Sequence, residues 1–459
     1  MTAPYWSDDA VTLYSGDCLG VLPTLPESSV DAVVTDPPYA LTELSITLVL
    51  EAISAWMRGD REYVPDGPGG FMGRRWDRFV PPPGVWDECM RVLKPGGHLL
   101  AFAAPRTYDL MCLSVRIAGF EIRDSIHWIY GSGFSKGINV SKAIDKIASA
   151  DRPVIGEKTS PDGVTYSARH GDRSGRRAGI AGAPVPVARS SETLTAPGTP
   201  EAAQWEGWNS TLKPAHEPIV LARKPLAGTV AGNVLEHGCG ALNIEGCRVE
   251  GAKRSPGYAE SSVGTAHVSG SLENPRRYQN KDTSVGRWPT NVVFSHLPEC
   301  GPDDTTPCVE GCAVAELDRQ SGITPSNARV NKGRGLGYHG GNGERGAWST
   351  NDTGGASRFF PTFRYQAKAP ASERPKVNGV AHETVKPLAL IQWLTRLITP
   401  PGGTVLDPFL GSGTTAEACL LEGFRCIGIE KDERYMPLIK ARIGKPLQPG
   451  LGIDDLEVS

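Results

Sequence analysis

The segment Val405–Thr415 reads VLDPFLGSGTT, an apolar strand followed by a glycine-rich turn and, from Thr415, the start of a helix. Glycines in such a turn let the backbone approach a bound cofactor, and the helix N-terminus offers free N–H groups. A second predicted strand, Arg425–Ile429, is followed directly by Glu430. An acidic side chain at this position can accept hydrogen bonds from ribose hydroxyls. No Lys follows the second glycine as in a P-loop, and the third glycine of a nicotinamide fingerprint is missing. The segment therefore predicts a cofactor-binding unit, with an ordinary tight turn as the alternative.

The same alternation of strands and helices runs outward through both ends of the chain. The elements predicted from hydrophobic spacing and Pro/Gly stops are strands Val11–Tyr14, Val30–Thr35, His98–Ala104 and Thr404–Leu406, and helices Leu41–Met57, Trp86–Leu93, Lys386–Ile398, Thr415–Glu422 and Glu433–Ile443. Strands separated by helices indicate an α/β fold with a doubly wound parallel sheet. Ligands of such sheets bind at the carboxyl ends of the strands.

A second motif, Asp36-Pro37-Pro38-Tyr39, follows the predicted strand Val30–Thr35. Prolines at this point end the strand and stiffen the backbone, which frees the Asp36 carboxylate and the Pro37 carbonyl to act as hydrogen-bond acceptors at the rim of the sheet. An amino group with two hydrogens needs two acceptors, and Tyr39 offers a stacking face. The alternative is a Pro-rich strand exit with Tyr39 half-buried.

Composition limits the class of protein. The 459 residues are 39% hydrophobic and 22% charged, which excludes a disordered chain or a disulfide-stapled mini-protein. The net charge of −3 excludes a polycation that coats nucleic acid by charge alone, but residues 152–380 carry an excess of five positive charges. The ten scattered Cys predict a reducing, cytoplasmic compartment, and neither an export signal nor a membrane span is expected.

With Asp36-Pro37-Pro38-Tyr39 early and the glycine turn late, the chain resembles the DNA amino-methyltransferases that use S-adenosylmethionine. The match is to their permuted beta class, in which the catalytic motif precedes the cofactor motif, and it covers about Thr12–Tyr130 and His382–Ile443. The resemblance implies a Rossmann-like methyltransferase core in circularly permuted motif order with a large inserted, loop-rich target-recognition region. The implied domains are residues 1–134 and 381–459 for the two halves of the core, and 135–380 for the insert.

The resemblance also assigns roles to individual residues. Glu430 would bind the ribose of S-adenosylmethionine, Asp17 would accept from the adenine amino group of that cofactor, and Lys386-Pro387 would face its methionine end. The cofactor loop itself would consist of Asp407, Pro408, Phe409, Gly411, Gly413 and Thr414. Trp128, Tyr130 and Phe134 lie where the family places an aromatic that helps sandwich a base, and which of them does so is left open.

The chemistry implied is methylation of an exocyclic base amine in double-stranded DNA, on a base flipped out of the stack. The delocalised lone pair of such an amine is a poor nucleophile, so Asp36 and the Pro37 carbonyl would hydrogen bond to its two N–H groups while Tyr39 stacks on the ring.

In the family an Asp at this position favours adenine N6, with cytosine N4 as the alternative. The motifs also allow methylation of RNA or of protein amides, and a DNA-binding regulator without turnover. The resemblance leaves open a homodimer and a restriction endonuclease partner.

The middle of the chain is the predicted recognition region, with Ser160–Pro200 and Asn331–Ser357 as mobile loops and Glu217–Lys224 as a strand that joins the core. Candidate contacts to phosphate or guanine are Arg173, Arg176, Arg177, Arg276, Arg277 and Arg287, the last beside Trp288. A solvated loop surface is the alternative for each of these arginines.

One cluster stands apart from these motifs: His296, Cys300, Cys308 and Cys312. Three thiolates and an imidazole suit a structural, tetrahedral zinc ion. The spacing differs from that of the standard knuckles, so ordinary free cysteines in a loop are the alternative.

Overall fold

The structure, a computed structural model, describes residues 3–131, 133, 137–157, 176–178, 184–186, 193–249, 286–297, 300–301, 307–325, 353–363, 376–377, 379–382 and 384–444. The chain divides into two compact units, one of Met1–Ser132 with Ala215–Ser459 and the other of Gly133–Pro214. Much of the region from 215 to 380 is therefore part of the first unit, because three of its strands join the main sheet.

The first unit is built on one ten-stranded sheet. Its strands, numbered along the chain, are β1 Trp6–Ser7, β2 Val11–Ser15, β3 Val30–Thr35, β4 Leu93–Phe102, β5 Glu121–Ile129, β6 His216–Arg223, β7 Val292–Ser295, β8 Thr362–Phe363, β9 Thr404–Asp407 and β10 Arg425–Glu430. Their order across the sheet is β1-β2-β10-β9-β3-β4-β6-β5-β7-β8. The five strands from β2 to β4 run parallel, and β6 is antiparallel to both of its neighbours.

The two ends of the chain interleave in this sheet, since β10 pairs with β2 and β9 pairs with β3. The α-helices of the chain's described part are α1 Cys18–Val21, α2 Ile46–Met57, α3 Pro83–Val92, α4 Tyr108–Ile117, α5 Val140–Ile147, α6 Pro200–Gln204, α7 Val230–His237, α8 Ala313–Ser321, α9 Leu388–Ile398, α10 Thr414–Leu421 and α11 Met436–Ile443. Shorter 3₁₀ turns lie at Leu22–Thr24, Phe71–Gly73, Arg75–Asp77, Glu245–Cys247, Ala356–Phe359 and Glu433–Tyr435. The α/β fold predicted from the sequence is confirmed.

The centre of the sheet is buried on both faces. Every residue of β3 is buried, and its apolar side chains divide between two large hydrophobic clusters. Its one charged residue, Asp31, is compensated because its carboxylate accepts from Lys94 Nζ (2.6 Å) and from the Thr404 N–H (2.8 Å). A buried parallel strand of this kind explains the continuous apolar run in the sequence.

Several element boundaries differ from those predicted. Helix α2 begins at Ile46 and not at Leu41, because Ser45 caps it by accepting from the Leu48 N–H (3.3 Å). Strand β4 begins at Leu93, so the Pro-Gly-Gly sequence predicted to separate helix from strand is part of the strand. The register between β3 and β4 shifts there. Strand β6 covers His216–Arg223, where a core strand was predicted.

The second unit contains α5, α6 and a ribbon of Val154–Glu157 paired with Thr193–Thr195. Its buried Asp145 accepts from the Gly198 N–H (3.0 Å) and from Thr199 Oγ1 (2.9 Å), and it forms an ion pair with Arg152. Arg176–Ala178 pairs with Pro184–Pro186. Within the described ranges of both units, no helix has the length and apolarity needed to cross a bilayer.

Candidate functional site

Three acidic residues meet at one edge of the sheet. Asp36 follows β3, Asp407 ends β9 and Glu430 ends β10, and these are adjacent parallel strands in the order β10-β9-β3. The two loops are tied together because Thr35 Oγ1 donates to Asp407 Oδ1 (2.7 Å). The two motifs singled out in the sequence therefore lie side by side, as a parallel sheet requires.

A cavity of about 800 Å³ opens at this edge. That volume lies within the range of ligand pockets for small molecules. The predicted site residues that line it are Asp17, Asp36, Pro38, Lys386, Asp407, Pro408, Phe409, Gly411, Thr414 and Glu430. Pro37, Tyr39, Pro387 and Gly413 lie next to them in the chain, with Pro37 buried, Pro387 at the start of α9 and Gly413 at the start of α10.

The glycine turn has a backbone that only glycine adopts easily. Gly411 and Gly413 have φ angles of +56° and +83°, in the left-handed region. A Cβ atom at Gly411 would lie 3.1 Å from His382 Nε2, and one at Gly413 would lie 3.1 Å from Ile439 Cγ2. Both positions thus combine a left-handed conformation with close packing, which explains the two glycines of the motif.

Glu430 holds the glycine turn in place. Its Oε2 accepts from the Gly411 N–H (2.8 Å), and its Oε1 accepts from the Asp432 N–H (2.7 Å). Burial raises the pKa of Glu430 to about 7, although the two N–H donors oppose the shift. Each oxygen keeps a second lone pair, so the ionised carboxylate can also accept bonds from hydroxyl groups in the cavity.

This raised pKa predicts a specific pH dependence. A carboxyl whose pKa is higher in the folded than in the unfolded state stabilises the fold below its ordinary pKa of 4.5, and that stability is lost as pH rises through about 7. We therefore expect the free energy of unfolding of the unliganded protein, relative to Glu430→Gln, to fall by on the order of 3 kcal/mol over that range.

The measurement is urea denaturation of both proteins across this pH range. Glu430→Gln also serves as the control, because the other titrating groups are the same in both proteins and their contributions cancel in the difference between the two curves. A difference that does not change with pH would contradict the burial of an ionisable Glu430.

Asp407 and Asp17 shape the cavity in different ways. The buried Asp407 accepts from the Phe409 N–H (3.0 Å) as well as from Thr35, and burial raises its pKa to about 6. Asp17 caps α1 by accepting from the Leu19 N–H (3.1 Å) and forms an ion pair with Lys431 (2.6 Å). Burial alone would raise the pKa of Asp17, but Lys431 and the N–H donor outweigh it and the pKa is lowered.

Four polar side chains form a compact cluster at the Asp36-Pro37-Pro38-Tyr39 motif. Lys386 Nζ lies 2.7 Å from Asp36 Oδ2 and 3.4 Å from Glu217 Oε2. The Tyr39 hydroxyl lies 2.5 Å from Asp36 Oδ1 and 3.1 Å from Glu217 Oε2, with one proton to donate. We call Asp36, Tyr39, Glu217 and Lys386 the carboxylate–lysine cluster; two carboxylates and one ammonium leave it with a single net negative charge.

The surroundings of Lys386 keep it charged. Its ammonium lies 5.1 Å from the centre of the Tyr39 ring and 5.0 Å from that of Phe102. Burial would lower the pKa of Lys386, but Asp36 and Glu217 outweigh burial and the pKa is raised. Burial and the same two carboxylates raise the pKa of Tyr39 far above its ordinary value. Lys386, expected at the methionine end of a cofactor, is thus also the counter-ion of Asp36.

Asp77, which is not among the predicted site residues, fixes the backbone of the loop that follows β3. Its Oδ1 accepts from the N–H groups of Tyr39 (2.6 Å) and Ala40 (2.9 Å), and its Oδ2 accepts from those of Leu41 (2.9 Å) and Phe71 (2.7 Å). The side chain is buried, and Ala40 has a left-handed φ of +59°. Asp77 therefore positions Tyr39 without facing the cavity, and no local pattern around it signals this role.

Glu217 was also missed as a site residue. It lies in β6, opposite Trp128 of β5. Its stretch was predicted only as a core strand, with no role for the acidic side chain. The pairing of β6 next to β4 brings it to Tyr39 and Lys386.

The aromatic candidates differ in their surroundings. Trp128 is buried, and its Nε1 donates to Ser295 Oγ (2.8 Å), so it belongs to the core. Tyr130 is partly buried and packs on Trp128 with ring centres 4.9 Å apart. Phe134 lies outside the described residues.

Of the arginine candidates, only Arg287 has a described side chain. Its Nη1 donates to the Arg358 carbonyl (2.8 Å), so this guanidinium already has a partner within the chain. Trp288 is 65% exposed. Arg173, Arg276 and Arg277 lie outside the described residues, as do the side chains of Arg176 and Arg177 and most of the two predicted loops.

Comparison with known proteins points to one family. The profile of a family described as DNA methylase matches residues 193–441, just over half of the chain. The type II methyltransferase M.BglI of Bacillus subtilis is 54% identical over 57 residues, 12% of this chain and 16% of that protein. M.BamHI of Bacillus amyloliquefaciens, another type II methyltransferase, is 35% identical over 107 residues, 22% and 20% of the two chains. The match thus spans a fifth or less of the length of these two relatives.

Among solved structures, the PvuII DNA methyltransferase, described as cytosine-N4-specific, is similar with a TM-score of 0.39 and 12% identity. The alignment covers 96% of this chain and 89% of that one.

Proposed function

This chain belongs to the DNA methylase family, and on that premise we propose that it transfers a methyl group from S-adenosylmethionine to the exocyclic N6 amine of a flipped-out adenine in DNA. The observation that carries the proposal is the position of the Asp36 carboxylate. It faces the same cavity as the glycine turn and Glu430, so an amine held at Asp36 would lie beside a cofactor held by the turn.

The cofactor half of the cavity suits a nucleoside. The α10 N-terminus and the left-handed glycines allow close approach of the backbone, and Glu430 and Asp17 supply acceptors for hydroxyl and amino groups. S-adenosylmethionine supplies an electrophilic sulfonium methyl group when bound. Family membership and this set of acceptors together support it as the methyl donor.

The catalytic half suits a planar amine. Asp36 Oδ1 and Oδ2 each keep a lone pair beyond their bonds to Tyr39 and Lys386, so the carboxylate can accept one N–H of the substrate. The Pro37 carbonyl is the second acceptor in this proposal. Two acceptors out of the ring plane favour a tetrahedral nitrogen, whose lone pair could then attack the methyl group. The bond from that methyl group to sulfur would break as the bond to nitrogen forms, leaving a neutral thioether, and the proton lost from nitrogen would go to Asp36 or to water.

Adenine is proposed over cytosine because of Asp36 itself, the residue that the resemblance associates with N6 methylation. Cytosine N4 is the alternative within the same mechanism. The excess positive charge of residues 152–380 supports a nucleic-acid substrate.

The proposal is tested by incubating the purified protein with methyl-tritiated S-adenosylmethionine and equal amounts of unmethylated genomic DNA and total RNA. We expect acid-insoluble label in the DNA alone. Label in RNA, or in neither polymer while the cofactor binds, would contradict a DNA methyltransferase and favour an RNA enzyme or a binding protein without turnover.

The role of Tyr39 can be separated into its ring and its hydroxyl. We expect Tyr39→Ala to lower kcat/KM for DNA by about 10- to 100-fold, because stacking on a flipped base contributes about 1–3 kcal/mol. Tyr39→Phe keeps the ring and loses only the contacts to Asp36 and Glu217, so its loss should stay below about tenfold. Steady-state kinetics of both variants decide this; an equal loss in both would show that the ring does not matter.

A further inference from the structure

His296, Cys300, Cys308 and Cys312 come together in space, away from the cavity. One side-chain ligand atom from each lies within 4.8 Å of those of all the others. His296 Nδ1 lies 3.2 Å from Cys308 Sγ and 3.6 Å from Cys312 Sγ. Cys300 and Cys312 are buried and the other two are partly buried.

These separations match the edges of a metal tetrahedron. Zinc–sulfur and zinc–nitrogen bonds of about 2.3 and 2.0 Å place neighbouring ligand atoms about 3.5–3.8 Å apart. The separations of His296 Nδ1 from the Cys308 and Cys312 sulfurs, 3.2 and 3.6 Å, lie close to that edge length, and no two ligand atoms of the cluster are more than 4.8 Å apart. Four protein ligands also leave no open position, which is the pattern of a structural and not a catalytic zinc site.

The local backbone brings the candidate ligands Cys308 and Cys312 close together. Gly311 has a φ of +82°, and the Cys312 N–H donates to the Val309 carbonyl (3.3 Å), so the chain turns tightly between Cys308 and Cys312. Cys312 is also the N-cap of α8, where the helix N-terminus favours a thiolate.

The apolar core beneath this turn is small. Among the described residues its buried members are Cys300, Cys312 and Val314, two of them candidate ligands, and the partly buried side chains packed against them are Phe294, Leu297, Cys308, Val309 and Ala315. A segment with so little apolar surface to bury needs another source of stability, and bound metals commonly supply it in small folded units.

We propose that His296, Cys300, Cys308 and Cys312 bind one structural zinc ion. The ion holds the turn between Cys308 and Cys312 onto the outer strands of the main sheet. The proposal is independent of the methyl-transfer reaction.

The site is joined to the catalytic side of the sheet by short contacts. The His296 N–H donates to the Phe363 carbonyl of β8 (2.8 Å), and Ser295, just before it in β7, accepts from Trp128 of β5. At the end of β5, a Cβ atom on Gly131 would lie 2.6 Å from the Gly311 carbonyl oxygen. The zinc ion thus fixes the strand whose Trp128 lies opposite Glu217.

The test is the metal content of the full-length protein, purified from zinc-supplemented cells and measured by inductively coupled plasma mass spectrometry. We expect about one zinc ion per chain in the wild type. Cys308→Ser should weaken zinc binding by at least about tenfold in competition with a chromophoric chelator, because even outer partners of a metal change affinity by 10–100-fold. His296→Cys keeps four ligands and should retain the ion, and Cys112→Ser, a half-buried thiol elsewhere, is the matched control.

A second measurement needs no variant. Wild-type protein exchanged with Co²⁺ should show the d–d and thiolate-to-metal absorption bands of a tetrahedral site, and removing the metal should speed amide exchange at residues 292–296. A wild-type protein that holds neither zinc nor cobalt overturns the proposal, as does a disulfide between any two of the three cysteines.

Discussion

Asp36→Ala is expected to lower kcat for methyl transfer by about 10³-fold or more, within the range for loss of a positioned acid–base group together with its electrostatic contacts. The carboxylate is the acceptor that activates the amine in the proposed mechanism, and Glu217, the other carboxylate of the cluster, is not among the residues that line the cavity. Because the glycine turn and Glu430 are unchanged, the dissociation constant of S-adenosylmethionine should stay within about threefold of the wild-type value.

Single-turnover kinetics and calorimetric binding of the cofactor measure the two effects separately. Asp109→Ala, at an exposed aspartate in the first turn of α4, is the matched control and should behave as wild type. Wild-type turnover in Asp36→Ala would rule out the mechanism, and a lost cofactor affinity would place Asp36 in the cofactor site.

Lys386→Met is expected to lower kcat at neutral pH by about 100-fold. Asp36 and Glu217 would then share a partly buried site without their counter-ion, so we expect proton uptake by one of them to become more favourable. Activity that needs an ionised Asp36 should accordingly recover at higher pH. If Lys386 had only a structural role, Lys386→Met would lower kcat without shifting the acid limb of the pH–rate profile, and that result would contradict the prediction.

Glu217→Gln provides the compensating change. It removes the second carboxylate, so kcat of the double variant Lys386→Met/Glu217→Gln should be about tenfold higher than that of Lys386→Met. The acid limb of its pH–rate profile should also shift back toward that of the wild type. Lys440→Met, at an exposed lysine in α11, controls for the loss of a positive charge. Additive effects of the two substitutions would contradict a shared electrostatic cluster.

The sheet and the conformation of the glycine turn could be predicted from the sequence because their signals are local. Strand β3 is a continuous apolar run, and the turn after β9 carries two glycines that its left-handed backbone requires. Parallel strands place their carboxyl ends at one edge, so the proximity of Asp36 and Asp407 also follows from the pattern alone.

Glu217 and Asp77 could not be predicted because their roles depend on tertiary contacts. Glu217 reaches the cluster only through the antiparallel insertion of β6 beside β4 and β5, and the sequence does not specify that register. Asp77 acts on four backbone N–H groups, which are the same in every sequence and leave no motif. The extra strands β7 and β8 are likewise too short to give a periodic signal.

The most direct test of the central claim is the identity of the methylated nucleoside. The protein is incubated with methyl-deuterated S-adenosylmethionine and unmethylated double-stranded DNA, and the DNA is digested and analysed by mass spectrometry. We predict deuterated N6-methyldeoxyadenosine, absent with Asp36→Ala. Deuterated N4-methyldeoxycytidine would contradict the choice of base, and no labelled deoxynucleoside from a protein that binds the cofactor would contradict the proposed reaction.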